Sequence, residues 1–165
     1  MGWESVFEQA DKDKAVGEQR LQAALLRASV IGEHWQELWE RVVSLLRDEV
    51  PKLNSQLRVR SILCANNDLV FIPQGEHCYS ISNPAMPRVE MFLRCVPSQS
   101  IQISGWWQPD AYTRTGIGPL RINFAVDGHF RPCLRSDNEE FGAASAVEGL
   151  LSQIASRFAK TVGAL

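Results

Sequence analysis

The chain has 165 residues, 45% of them hydrophobic and 22% charged, with a formal net charge of −2. That length and balance point to one domain whose core needs no covalent staples. They exclude an overall electrostatic pull toward nucleic acid or membrane, and no apolar run approaches the ~18 residues needed to span a bilayer.

The charge is unevenly spread. Residues 1–50 carry ten acids and six bases, residues 51–135 five acids and nine bases, and residues 136–165 four acids and two bases. Eight of the nine bases in the middle are Arg. Four cysteines, Cys64, Cys78, Cys95 and Cys133, form no C-x-x-C pair. With no basic-then-apolar leader at the start, reduced thiols in a cytoplasmic protein are the expectation.

Residues 1–16 are polar and weakly patterned, with Trp3 and Phe7 one helical turn apart; a frayed lead-in is expected. Residues 17–50 carry the clearest helical period. Leu21, Leu25, Ala28, Gly32, Trp35, Trp39, Val42 and Leu46 step by alternating fours and threes, and charged residues fill the opposite side. Gly32 is a candidate kink, and Pro51 is expected to end the helix.

After Pro51 the period drops to two. Leu57, Val59, Ser61 and Leu63 alternate with Arg58, Arg60, Ile62 and Cys64, which predicts a strand. Further strands are expected over Leu69–Ile72, stopped by Pro73, over Cys78–Ile81, over Val89–Cys95, and at Ile101–Ile103 leading into Trp106-Trp107. Residues 108–119 read as a long loop. Leu120–Val126 alternates cleanly, and Asp127-Gly128 predicts a type I′ hairpin turn. The return strand to Arg135 holds Pro132 and is expected at a sheet edge. Ser136-Asp137-Asn138-Glu139 matches a capping box, so a final helix is predicted over 136–165, with Phe141, Val147, Leu151, Ile154, Phe158 and Val162 on one face.

Hairpin-length connections favour antiparallel pairing. The expected fold is a single α+β domain, 1–165. One antiparallel sheet of about six strands (51–135) is flanked on one face by a long N-terminal helix and a C-terminal helix.

With apolar residues turned toward the helices, the other sheet face would collect Arg58, Arg60, Arg88, Glu90, Phe92, Arg94, Arg121, Asn123, His129, Arg131 and Arg135. Arg pairs bidentately with carboxylate or phosphate, and Phe92 offers a stacking surface. A solvated antiparallel face looks the same, because long Arg stems cover apolar surface without any ligand. Trp106, Trp107 and Tyr112 form a second candidate, an aromatic rim on a loop. The apolar stripe of the first helix, with Leu21, Leu25, Trp35, Trp39, Val42 and Leu46, is a candidate homodimer seam, since a helix of that length would overhang its sheet.

Signals for catalysis are thin. Thr115-Gly116-Ile117-Gly118 precedes a strand rather than a helix, unlike a phosphate loop. His77 and Cys78 are adjacent, hence on opposite strand faces, and His129 and Cys133 lie about 13 Å apart by strand rise. No metal and no cofactor are expected. The function expected is that of a non-catalytic binding or assembly module acting through the Arg face or the aromatic loop. The alternative is a protein or enzyme that handles a small anion with the same Arg cluster. A second copy, an acidic protein or a small anion are the partners considered. Single-stranded nucleic acid ranks last, because acidic helices weaken the field that phosphate contacts need.

Overall fold

A computed structural model describes residues 2–163; Met1, Ala164, Leu165 and the side chain of Val162 lie outside the described residues. The order is α1 (Gly2–Val59), β1 (Val70–Gly75), β2 (Cys78–Ser82), β3 (Arg88–Val96), β4 (Ser100–Gln108), β5 (Thr115–Val126), β6 (Pro132–Ser136), β7 (Glu139–Phe141) and α2 (Ala143–Gly163). The fold is α+β, with one antiparallel sheet of seven strands in the order β1 to β7. Both helices pack on the same face.

Each strand divides by period. On β3, Val89, Met91, Leu93 and Cys95 are buried toward the helices, while Arg88, Glu90, Phe92 and Arg94 face away. The core joins these to Trp39, Val42, Leu46 and Val50 of α1 and to Val147, Leu150, Ile154 and Phe158 of α2. Trp39 packs edge-on against Tyr79, and Trp107 meets Phe158 in a T-shaped contact at 4.8 Å.

The first helix departs most from expectation. It is one helix from Gly2 to Val59, so the lead-in is helical, Gly32 does not divide it, and Pro51 lies inside it. Proline costs a helix interior about 3 kcal/mol. Here Val50, Asn54 and Leu57, on either side of Pro51, are all buried on the body, and that burial outweighs the missing bond. At ~1.5 Å per residue α1 is roughly 87 Å long, against a sheet roughly 30 Å wide.

The strand expected over 57–64 does not form. Ile62 N donates to Leu57 O at 2.8 Å, Ser61 N donates to Arg58 O at 2.9 Å, and Ser61 is left-handed (φ 56°). This is a Schellman stop without glycine. Asn54 then clamps the next segment, its side-chain amide exchanging two hydrogen bonds of 2.8 Å with the backbone of Leu69.

Other boundaries also shift. β1 runs through Pro73, which an edge strand tolerates because no neighbour needs its missing donor on that side. β5 begins at Thr115, so the loop shrinks to 109–114. At Gly118-Pro119, β5 carries a bulge opposite Ser104. Gly118 has φ +77°, and a Cβ there would sit 2.6 Å from the Ile103 carbonyl oxygen. At Asp127 the turn is not type I′. Phe130, not Gly128, is left-handed (φ 57°), and Asp127 Oδ1 accepts from the backbone N of His129 and Arg131. These two bonds hold the Asp127 carboxyl below its ordinary range. β6 is not an edge strand, since β7 pairs outside it; Pro132 is accommodated as its first residue. The capping-box residues form the β6–β7 turn instead, with Ser136 opposite Glu139, and α2 starts later at Ala143.

Candidate ligand face

The face of the sheet turned away from both helices is built by strand register. Across β3, β4 and β5, Arg94 lies beside Gln102, and Gln102 beside Arg121. Two strand spacings put the two Arg Cα atoms roughly 10 Å apart. Both side chains are exposed, and among the described residues neither forms an ion pair. One row along, Phe92 sits beside Ser80 and Ser104, and Glu90 sits beside Trp106. The Phe92 and Trp106 rings meet at 6.3 Å, tilted by 59°. The Arg114 guanidinium covers Trp106 at 3.9 Å from the ring centroid. The result is a half-buried aromatic step beside two unpaired cations, with a third cation stacked on it. Such a surface can stack a planar group and pair with a carboxylate or another anion.

Other candidate residues lie elsewhere or are already paired. Arg58 and Arg60 are not on the sheet, because their segment is the end of α1. Arg58 pairs with Asp68 at 3.4 Å, and Arg60 donates to Gln56 O at 3.2 Å. Arg88 pairs with Glu90 at 3.1 Å, and Arg135 with Glu140. His129 and Arg131 belong to the β5–β6 loop. Trp107 faces inward against Phe158 and is unavailable to a ligand, whereas Trp106 faces outward. Tyr112 is fully exposed on the 109–114 loop. There Asp110 Oδ1 accepts from Tyr112 N and Thr113 N at 2.8 Å each, which lowers the Asp110 carboxyl from its ordinary range. Arg114, two residues past Tyr112, is the member that sequence reasoning missed. It lies in a segment read as irregular loop, and only the fold brings it over Trp106.

The helical stripe divides. Trp39, Val42 and Leu46 are buried in the chain's own core, and Trp35 packs edge-on to His77 at 5.6 Å and against Phe124 at 6.2 Å. Of the large side chains on that stripe, Leu21 and Leu25 remain open, as do the small residues Ala28 and Gly32.

One thiol and one histidine are cross-strand neighbours, since Cys95 N donates to His77 O at 2.8 Å. Cys78 lies on the open face opposite Arg94, Cys95 lies beneath the sheet, and the His77 ring rests on Trp35. Among the described residues no three His, Cys, Asp or Glu side chains gather in a way that could hold a metal ion. The Gly116–Gly118 segment is strand, so it presents no row of helix N-terminal amides to a phosphate.

Burial pushes the Cys95 thiol up to about 12, whereas Cys64 is exposed. A thiol kept protonated by burial is a poor nucleophile at pH 8. Iodoacetamide at pH 8 is expected to alkylate Cys64 first and to reach Cys95 only after denaturation, as read by peptide mass spectrometry. Rapid native labelling of Cys95 would contradict its placement in the core.

Comparison with protein-family models, with curated proteins and with solved structures finds no significant match to this chain.

Proposed function

We propose that this protein is a non-catalytic binding module that engages an acidic protein segment on its open sheet face. One observation carries the reading. The uncovered face holds Arg94 and Arg121, which have no carboxylate partner among the described residues, next to an Arg114–Trp106–Phe92 stack. A merely solvated face would tend to cancel its charges pairwise, as Arg88 and Glu90 do on the same strand. The stack supplies the aromatic surface, and two guanidinium groups on flexible stems, rooted at Cα atoms about 10 Å apart, can reach outward carboxylates about 7 Å apart on an extended chain.

The test is calorimetric titration with an oligo-glutamate peptide containing one tyrosine, at low and at 0.5 M salt. Exposed ion pairs contribute about 0.2–1 kcal/mol each. The double variant Arg94→Ala/Arg121→Ala is therefore expected to bind about two- to thirtyfold more weakly, with a shallower salt dependence. Equal affinity in the double variant would refute the reading. Full competition by inorganic phosphate would instead point to a small-anion site, and tighter binding of a single-stranded oligonucleotide would move the assignment to nucleic acid.

A further inference from the structure

We infer that two copies of this chain associate through the projecting part of α1, antiparallel, with residues 3–28 of one helix lying along residues 28–3 of the other. This goes beyond the sheet-face reading and does not depend on it.

The projection comes first. Every residue from Gly2 to Gln22 is exposed, as are residues 24–29, and the helix first meets its own body at Arg27, whose guanidinium lies over Phe130, and then at Val30 and Ile31. Some 40 Å of helix therefore stands clear of the body. It carries Trp3, Phe7, Leu21 and Leu25, each more than 60% exposed. The Trp3 and Phe7 rings pack edge to face at 6.1 Å with no core beneath them. A run of large apolar side chains on a bare helix is a surface waiting to be covered.

The identity of the cover follows from the pattern. Trp3, Phe7, Ala10, Lys14, Gly17, Leu21, Ala24 and Ala28 step by alternating fours and threes, the period of a helix–helix seam. In the antiparallel pairing Trp3 faces Ala28, Phe7 faces Ala24, Ala10 faces Leu21 and Lys14 faces Gly17. Each layer sets one large side chain against one small one, which lets two helices approach closely without voids or clashes. The same stripe in parallel would oppose each residue with itself. Trp3 would crowd Trp3, two Lys14 ammonium groups would meet in the seam, and Gly17 would leave a gap against Gly17.

Charge selects the same orientation. Glu4, Glu8, Asp11 and Asp13, with only Lys12 among them, make the outer half of the projection acidic. Arg20 and Arg27, against Glu18, give the inner half (16–28) a net charge of +1, while Lys14 falls in the outer half (3–15) and leaves it at −2. Antiparallel pairing lays acidic half on basic half twice, with Asp13 and Arg20 flanking the seam on one side; parallel pairing lays like on like. The Lys14 stem can cross the open Gly17 surface, where a side chain would meet nothing within 4 Å, while its ammonium reaches the central carboxylates.

The ends fit as well. Trp3 of the second copy would arrive at Ala28, one turn from a groove of about 440 Å³ lined by Arg27, Ile31, Phe124, Val126 and Arg135. Beside it Arg27 stacks on the half-exposed Phe130 ring at 5.7 Å. The two sheet bodies would then stand at opposite ends of the pair, with both open faces free.

Light scattering on the full chain at micromolar concentration is expected to give twice the 18.5 kDa monomer mass. Leu21→Arg alters a side chain that touches no core, so its fold should persist by circular dichroism while the mass falls to monomer. In a Cys64→Ser background, Ala10→Cys/Leu21→Cys should form an interchain disulfide under mild oxidation, and Leu21→Cys alone should not. A native monomer, a Leu21→Arg protein that remains dimeric, or efficient crosslinking by Leu21→Cys alone would each overturn the inference; the last would mean a parallel pair.

Discussion

Phe158→Ala is expected to destabilise the fold by about 3–5 kcal/mol, the largest effect of any single truncation considered for this chain. Phe158 is fully buried, and its ring meets Trp107 edge to face at 4.8 Å. It fastens the last turns of α2 to β4, and no neighbouring side chain of α2 can swing in to fill the void, because Ile154 is itself fully buried. A cavity the size of a phenyl ring would remain, along with the loss of the aromatic pairing. For a chain of this length each kcal/mol moves the midpoint by roughly 2–4 °C, so thermal unfolding should shift by about 6–20 °C. Urea unfolding followed by Trp fluorescence measures the same loss. A cost below about 1 kcal/mol would mean that α2 does not seat on the sheet as described.

Asn83→Ala should cost about 2–4 kcal/mol, because it strands several buried polar groups at once. Asn83 is 2% exposed. Its amide nitrogen donates to Asn67 Oδ1, Ala85 O and Pro87 O, and its Oδ1 accepts from Val89 N at 2.8 Å. Asn67 Oδ1 also accepts from Ala85 N, so the two asparagines tie the loop before β1 to the turn before β3. Alanine removes the donor from three carbonyl oxygens and the acceptor from one N–H in a low-dielectric pocket. Asn83→Asp, nearly the same shape, should be at least as damaging, since its carboxylate would face Asn67 Oδ1, Ala85 O and Pro87 O. Urea midpoints for the two variants decide the matter. An aspartate variant as stable as the wild type would mean that water, not the amide, satisfies this turn.

The sites were legible in unequal measure. Phe92, Arg94 and Arg121 could be placed on one face from alternation alone, because period two assigns each residue to a side once the strand exists. Arg58 and Arg60 were drawn onto that face by the same alternation and do not belong to it. Leu57 is captured by the body while still helical, and Ser61 takes up the left-handed turn that ends the helix. Arg114 was invisible, since its role depends on a bulge that lengthens β5 and shortens the loop. The asparagine clamps read as ordinary turn residues, because nothing local distinguishes a solvated Asn from one whose partners lie fifteen or sixteen positions away.

By itself, the sequence determined the α+β class, the antiparallel pairing, the inward and outward residues of β3 and β5, and the amphipathic character of both helices. These follow from dihedral geometry and hydrophobic period, which act over a few neighbouring residues. Only the tertiary structure decided that α1 continues through Pro51, that its inner half is core while its outer half stands free, and which arginines keep an unpaired charge. Those outcomes are differences between a local cost, about 3 kcal/mol at Pro51, and burial supplied by residues distant in the chain, here the sheet and α2 packed against Val50, Asn54 and Leu57.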